Sequence, residues 1–504
     1  MKIVNKKTLF LLKKQKKNKK KIGLCHGTFD LLHAGHIRHF NTAKKNCDIL
    51  VVSITADKFV NKGLNRPYLN QLERYEILSS VKFIDYIYIC NSFTADQAIK
   101  EIQPNLYFKG PDYKNNNLDI TGNIKKEINL IKKIGGKVFY TSDQTMSSSK
   151  ILNILENNSS KQNQYIRTLK SKINFIKIKD AFNSISKKKV LIIGENIIDQ
   201  YNFCETLGKS GKEPHLVLKH LKSETYPGGV VAIAKHLSNF CKSVKILTSI
   251  GSSYKKEINF IKKNTNLNVS LEYVYRKSVP TIKKKRFIDN LSKHKLIGIY
   301  EINDNLLEKK LEHEMIKKIK KNISKYDLVI VADYGHGLIT RKMAKLICLK
   351  SKNLNLNAQL NASNIGFHTL RKYFNFRNIQ INESELRHEY KDRNSSVKIL
   401  SKKLAKEQVV KQVLVTRGAE GCILYNKQKN KYFECPAFAN KIVDKVGAGD
   451  AVFSLFSLFN SIKMDTDLKI FVSSYASVIV VESMANSNTI DKNNLLRSLE
   501  HLFK

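Results

Sequence analysis

The sequence predicts an α/β protein built from two doubly wound parallel-sheet domains. Length is the first reason: 504 residues exceed what one hydrophobic core usually serves, and 42% apolar residues suffice for two. The second is that short apolar runs alternate with helical segments from Ile22 to Tyr140 and again from Val190 to Thr416, the pattern of parallel strands joined by crossover helices. The third is that no internal repeat relates the two series, so they are different α/β folds.

The first series opens with a strand at Ile22 to Cys25. A glycine-bearing loop follows, then a helix over Ala34 to Asn46 and a fully apolar strand at Ile49 to Ile54. A helix near Gln71 to Val81 leads into a strand at Tyr86 to Cys90. Leu106 to Lys109 and Lys137 to Tyr140 read as later strands, and a helix beginning near Ser148 closes the unit. Upstream, Leu9, Phe10 and Leu12 stand at helical spacing within Lys6 to Lys17, so the basic run Lys13 to Lys21 is a solvated helix face and loop. The polar stretch Glu156 to Gln164 reads as a linker, which places a first domain at 1–155, a connecting segment at 156–188 and a second domain at 189–504. In the second domain strands are expected at Val190 to Gly194, Val244 to Ile250, Leu328 to Asp333, Ile379 to Asn382 and Val413 to Thr416. Alternating pieces at Val217 to Leu221 and Thr281 to Ile288 suit a small β lid.

Lys plus Arg number 89 against 43 Asp plus Glu, a net charge of +46. The lysines are spread along the whole chain with many Asn and Ile, while Trp is absent and Pro numbers 7, which is the mark of composition bias. A nucleic-acid stripe would be concentrated and interleaved with aromatic residues. The eight cysteines are dispersed, without CxxC pairs or zinc-finger spacing, so neither structural zinc nor a disulfide framework is expected. No apolar run approaches membrane-spanning length, and a cytoplasmic protein without membrane or nucleic-acid partners is expected.

The loop Gly27 to His36 (GTFDLLHAGH) delivers His33 and His36 to a strand-helix junction, where backbone N–H groups and the positive helix end favour anions. Two donors aimed at an α-phosphate would stabilise a pentacoordinate transition state while pyrophosphate leaves. The segment resembles the cytidylyltransferase-like nucleotidyltransferases over all ten residues. Further matches follow in order: Arg66-Pro67, Glu73-Arg74-Tyr75, Asp85, Lys109 to Tyr113 (KGPDY), and Met146 to Ser149 in place of the family's ISTT element. The resemblance covers roughly residues 20 to 155 and implies a Rossmann-like fold. It implies that Thr28 and Phe29 contact nucleotide through their backbone, that His33 and His36 serve the triphosphate, and that Ser148 holds a phosphate. Lys44 resembles the family's phosphate-binding lysine, with Lys45 competing, and Asp112 falls on the substrate side. KGPDY looks more like the adenylyltransferase of ADP-heptose synthesis, which favours ATP, with CTP second.

Asp444 to Asp450 (DKVGAGD) precedes an apolar helix, so that small residues let N–H groups converge on a phosphate while Asp450 reaches a hydroxyl as general base. It resembles the DTxGAGD element of ribokinase-like (PfkB) carbohydrate kinases, with Gly447, Ala448 and Gly449 as the anion loop. Over residues 189 to 504 the resemblance extends to Gly194 to Asp199, Pro227-Gly228-Gly229, Asp333 to Gly337, Asn382 to Glu385 and Thr416 to Gly421. It implies that Asp199, Gly228 and Gly229 face the sugar, that Asn382 and Glu385 organise phosphates and magnesium, the latter through water, and that Thr416 and Gly418 lie on the nucleotide side. Three positions depart from the pattern: Ala232 stands where Asn is frequent, Asn357 where an Asp ends a strand, and Lys445 where Thr or Val is usual.

The fused pair resembles the bifunctional heptose-phosphate kinase/ADP-heptose synthases with the domain order reversed. The resemblance implies phosphorylation of a sugar phosphate by ATP, nucleotidylation of a sugar 1-phosphate, magnesium in both halves, and nucleotides and sugar phosphates as partners. Homo-oligomerisation is left open. The alternative is an active nucleotidyltransferase joined to a sugar-binding pseudokinase.

Overall fold

The computed structural model describes residues 3–60, 66–110, 123–141, 161–360, 363–365, 369–439, 442–485 and 487–503. The chain divides into two compact units, Met1–Asn163 with Asn493–Lys504, and Gln164–Lys492.

In the first unit five strands, β1 (Ile22–Gly27), β2 (Ile49–Thr55), β3 (Tyr86–Cys90), β4 (Leu106–Lys109) and β5 (Lys137–Tyr140), form one sheet in the order β3-β2-β1-β4-β5. Every pairing is parallel. Alternate residues of the central strands feed two cores. Leu24, Val51 and Tyr107 enter one with Ile99, and Cys25, Val52 and Phe108 enter the other with Phe40. Burial on both faces explains why these strands read as continuous apolar runs. The chain leaves β1 toward β2 on one side, while β4 flanks it on the other. The strand order thus reverses beside β1, and open sheets of this kind bind ligands outside the carboxyl ends of their strands at such a switch point. The helix Lys6–Lys17 forms as expected, its N-cap Asn5 accepting the Thr8 N–H at 2.9 Å, with Leu12 turned into the core and Phe10 outward.

The second unit holds a nine-stranded sheet. Its strands are β6 (Lys189–Gly194), β9 (Ser243–Ile250), β10 (Val269–Tyr275), β13 (Leu328–Asp333), β14 (Leu354–Ala358), β15 (Asn378–Asn382), β16 (Gln412–Thr416), β17 (Cys422–Asn426) and β18 (Lys431–Cys435). They run in the order β10-β9-β6-β13-β14-β15-β16-β17-β18, parallel as far as β16 and antiparallel beyond it. A separate four-stranded sheet, β12-β11-β7-β8, is made of β7 (Asn196–Lys209), β8 (Leu216–Gly228), β11 (Ile282–Asp289) and β12 (Lys295–Glu301). The two expected lid pieces belong to β8 and β11.

Several strands escaped the sequence pattern. β14 (LNLNA) is wholly buried, yet two of its five residues are Asn. The cost of burying them is offset by hydrogen bonds, from Asn378 Nδ2 to Asn355 Oδ1 at 2.7 Å and from Asn357 Nδ2 to the Gln380 carbonyl at 3.1 Å. The stretch 156–188 carries two helices, Lys161–Lys170 and Phe175–Ile185. Phe182 packs on Phe240 and Phe459 at ring distances of 5.9 and 5.4 Å. All eight cysteines are unpaired thiols, buried except for Cys47. Among the described residues, no helix is long and apolar enough to cross a membrane.

Candidate functional site

In the first unit the loop after β1 is fixed from beneath by Arg74, which is 1% exposed. Its guanidinium donates to the carbonyls of Thr28 (2.7 Å), Thr55 (2.9 Å) and Leu69 (3.0 Å) and pairs with Asp57 at 2.6 Å. Asp30 accepts the N–H groups of Tyr68 and Leu69, each at 2.9 Å. So braced, Phe29 holds the left-handed conformation at φ 48°, a backbone strain that surrounding structure must impose. Its ring packs edge-on against His36 (5.2 Å) and Phe40 (5.1 Å). His33 is the N-cap of the helix Ala34–Lys45, its Nδ1 accepting the His36 N–H at 3.3 Å, and the two imidazoles stack at 3.8 Å. Thr28, Phe29, His33 and His36 are thus brought together at the switch point.

Lys44 is not brought there. It sits in the last turn of the same helix, ~12 Å along the axis from His36, and its ammonium pairs with Asp85 at 2.6 Å and with the Asp48 carbonyl at 2.6 Å. The rise of the helix separates Lys44 from the histidines. Asp112 and Ser148 lie outside the described residues. Lys109, the first residue of KGPDY, ends β4 and pairs with Glu127 at 2.9 Å. Glu127 also accepts from Tyr107 Oη at 2.9 Å and the Ala95 N–H at 3.1 Å. Burial raises its pKa but is outweighed by Lys109, His26 and the Ala95 N–H together, so the carboxyl titrates at about 2 and stays charged.

The second unit has a cleft of about 310 Å³. One end is lined by Asp199, Gly229, Lys284, Arg286 and Tyr334, and the other by Asn357, Gln380, Asn382, Glu385, Thr416, Lys445, Val446, Gly447 and Gly449, with Asp450 between them. Asp199 is ion-paired to Arg286. The diglycine is required by geometry. A Cβ on Gly228 would stand 2.5 Å from Asp199 Oδ2, and Gly229, at φ +55°, would run into the Glu195 carbonyl. Lys284, two residues from Arg286 on β11, projects into the same cleft, and burial depresses its pKa despite the nearby carboxylate of Asp199.

At the other end Asp444 anchors the glycine loop. Its oxygens accept from Tyr201 Oη (2.7 Å), Lys295 Nζ (2.6 Å) and the N–H groups of Val446 and Ala485 (3.1 Å each). Gly447, at φ +86°, turns the chain into the buried helix Ala448–Phe459, and Gln380 Nε2 holds the Gly449 carbonyl at 2.8 Å. Asp450 lies in the first turn, where the helix end favours its anion. Burial wins, and its pKa is pushed up to about 7 although Tyr334 Oη (2.9 Å) and Gln359 Nε2 (3.4 Å) both donate to Oδ1. Glu385 forms a capping box with Asn382, accepting the Asn382 N–H at 2.9 Å and the Leu360 N–H at 3.2 Å. Burial raises it too to about 7. Among the described residues the lining omits Gly228, Gly418 and Ala448: Gly228 packs behind Asp199, Gly418 (φ +56°) opens a short turn after β16, and Ala448 supplies helix backbone.

Two of the residues lining this end each carry a buried acceptor with no hydrogen-bond partner, Asn357 Oδ1 and Gln380 Oε1. Their orientation is settled because each amide nitrogen donates to a backbone carbonyl. Unpaired buried oxygens of this kind would suit a cation or its water shell. Oxygen donors of this kind suit magnesium bound through water and phosphate, and the residues fit that ion. Among the described residues no cluster of three or more His, Cys, Asp or Glu builds an all-protein metal cage.

Residues 187–493 match the family model described as pfkB family carbohydrate kinase. The chain belongs to that family. Residues 24–209 match the cytidylyltransferase-like family. Among curated relatives of this PfkB chain, Bifunctional protein HldE of Campylobacter curvus is 36% identical over 123 residues, 24% of this chain and 26% of that protein. Bifunctional protein HldE of Campylobacter jejuni strain RM1221 is 27% identical over 288 residues, 56% of this chain and 59% of that protein. The chain thus spans about a quarter to three fifths of the curated relatives' length in these matches. The ribokinase of Thermotoga maritima aligns at 20% identity with a TM-score of 0.48, over 62% of this chain and 99% of that one.

Sequence reasoning missed Lys284, Arg286, Gln359 and Gln380. The signal for the first two lay in KKKRF at 283–287, where i and i+2 on a strand share one face. In so lysine-rich a chain that spacing did not stand out. Gln359 and Gln380 carry no motif.

Proposed function

We propose that this chain is a bifunctional sugar-nucleotide enzyme. The second unit would phosphorylate a sugar phosphate with ATP, and the first would join a sugar 1-phosphate to a nucleoside triphosphate, ATP before CTP, releasing pyrophosphate. The observation that carries the kinase half is Asp450, buried at the helix end between the Asp199 pocket and the glycine loop, with a carboxyl poised near pH 7. Above that pH its carboxylate accepts the proton of the attacking hydroxyl. Asp199 and the diglycine orient the sugar, while Arg286 and Lys284 offer positive charge for the phosphate it carries. The N–H groups of the anion loop and Lys445 receive the transferring phosphoryl group. Asn357, Gln380 and Glu385 would hold hydrated magnesium, which when bound neutralises polyphosphate charge.

In the first unit the carrying observation is the stacked pair His33 and His36 on a helix N-terminus at the sheet's switch point. The imidazoles and the helix N–H groups would stabilise charge on the α-phosphate as the sugar phosphate oxygen attacks in line. The test is magnesium-dependent pyrophosphate release from each nucleoside triphosphate with a panel of sugar 1-phosphates, alongside sugar-dependent ADP formation. His36→Ala should abolish the first and spare the second, and Asp450→Asn should do the reverse. Asn357, in place of an acid, favours the alternative of a sugar-binding pseudokinase half, and any sugar-dependent ADP formation sensitive to Asp450→Asn removes that alternative.

A further inference from the structure

Asp450 has two carboxylate oxygens, and both of its side-chain donors go to one of them. Tyr334 Oη donates to Oδ1 at 2.9 Å and Gln359 Nε2 lies 3.4 Å from the same atom. An oxygen that already accepts two hydrogen bonds is the poorer proton acceptor, so this arrangement leaves Oδ2 to face the attacking hydroxyl. Both donors line the cleft, but the Tyr334 bond is the shorter and the better anchored, and only 4% of the tyrosine's surface is exposed.

The anchor is a second buried acid outside the cleft lining. Glu195 follows β6 directly and is 1% exposed; its Oε2 accepts the Tyr334 N–H at 3.0 Å and its Oε1 the His336 N–H at 3.2 Å. The turn so gripped leaves β13 at Asp333, which is fixed by Tyr373 Oη and Lys372 Nζ, each at 2.6 Å, and itself accepts the Gly335 N–H at 3.1 Å. Gly335 and Gly337 take positive φ of 72° and 83°, and a Cβ on Gly337 would collide with the Asn305 carbonyl. The buried side chains of Glu195, Asp333 and Tyr373, the Lys372 ammonium and two glycines thus determine where one phenol points. Packing alone asks for none of this, because a phenylalanine would fill the same volume without bringing a hydroxyl to the base.

We infer that Tyr334 is a positioning residue for the kinase reaction, orienting Asp450 through Oδ1 so that Oδ2 is presented to the acceptor hydroxyl, with Glu195 fixing Tyr334 in turn. This rests on the kinase reading of the cleft given above. Orientation effects of this type are worth about 10- to 100-fold in rate.

The test is Tyr334→Phe in the full chain, assayed with magnesium-ATP and whichever sugar phosphate supports ADP formation by the wild type. The expected result is a fall in kcat of about 10- to 100-fold, with KM for ATP and for the sugar phosphate unchanged. Pyrophosphate release by the first unit should be unaffected. A second variant, Gln359→Leu, removes the longer hydrogen bond and should lower kcat less. Unchanged kcat in Tyr334→Phe overturns the inference, as does a rise in KM at constant kcat, which would make the phenol a substrate ligand. Should Tyr334→Phe fail to bind ATP, Gln359→Leu decides alone, and a normal kcat there overturns the inference. Loss of ADP formation in Asp450→Asn but not in either variant refutes only this inference. Absence of turnover by the wild type refutes it together with the kinase reading.

Discussion

Replacing Asp450 by Asn should stabilise the second unit while destroying its activity. The unfolded carboxyl titrates near 3.8, whereas in the fold burial outweighs the Tyr334 and Gln359 hydrogen bonds and moves it to about 7. Between those values the folded protein keeps a proton that the unfolded chain has released. The stability this group contributes is therefore complete below about 3.8 and lost as pH rises through about 7. At ~1.4 kcal/mol per pH unit the loss amounts to ~4 kcal/mol. Asparagine removes the titration and still offers an oxygen to the Tyr334 hydroxyl. The variant should accordingly gain up to ~4 kcal/mol over the wild type between about pH 4 and pH 8, and sugar-dependent ADP formation should vanish. Hydrogen exchange in the helix Ala448–Phe459, corrected for intrinsic rates at each pH, reads this unit independently of the other. A stability difference that does not change with pH, or a variant less stable than wild type at pH 8, would refute the argument that desolvation dominates this carboxyl.

Three further outcomes follow from the geometry. The kinase kcat/KM should fall about tenfold per pH unit below about 7 as Asp450 takes up its proton, and a flat profile from about pH 5 to 8 would remove it as the base. Gly229→Ala should cost at least ~1–2 kcal/mol for its left-handed backbone alone, plus the collision with the Glu195 carbonyl, and should abolish sugar-dependent turnover. Normal urea unfolding of this variant would contradict the left-handed turn and the close approach of the Glu195 carbonyl at this position. Lys44→Ala should leave pyrophosphate release intact and cost ~0–1 kcal/mol, because its pair with Asp85 is part-exposed and lies at the far helix end. A rate loss of tenfold or more would instead place this lysine at the phosphates.

The two larger sheets were legible wherever strands are buried on two faces, because β1, β2 and β13 then read as largely apolar runs. β7 and β14 were not, for different reasons. β7 (NIIDQYNFCETLGK) passes from buried to exposed along its length and so shows no steady alternation. β14 hides its asparagines through contacts with β15 that only the folded sheet supplies. The site divides in the same way. His33, His36 and Asp450 stand out in the sequence because glycines and a helix start surround them, and the diglycine stands out through the resemblance to PfkB kinases. Lys44 matched a motif, but a residue eight positions beyond His36 on a helix is carried more than two turns away from it. The pairing of Glu195 with the turn after β13 joins residues 139 and 141 positions apart, and no local pattern encodes it.

Asn357 also takes on a different meaning once the cleft is assembled. As a sequence position it marks a lost acid and weakens the case for catalysis. In the fold, burial raises both Asp450 and Glu385 toward neutrality, and the charge of Asp450 adds to the shift of Glu385. A further carboxylate on the neighbouring strand would raise both further and repel an incoming polyphosphate. An amide would leave an oxygen available to a bound cation without adding charge. Asn357→Asp should then tighten binding of Mn2+, read by its electron paramagnetic resonance signal in the presence of ATP, while moving the acid limb of kinase turnover to higher pH. Mn2+ affinity that is unchanged or weaker in the variant would mean that Asn357 Oδ1 faces something other than the cation.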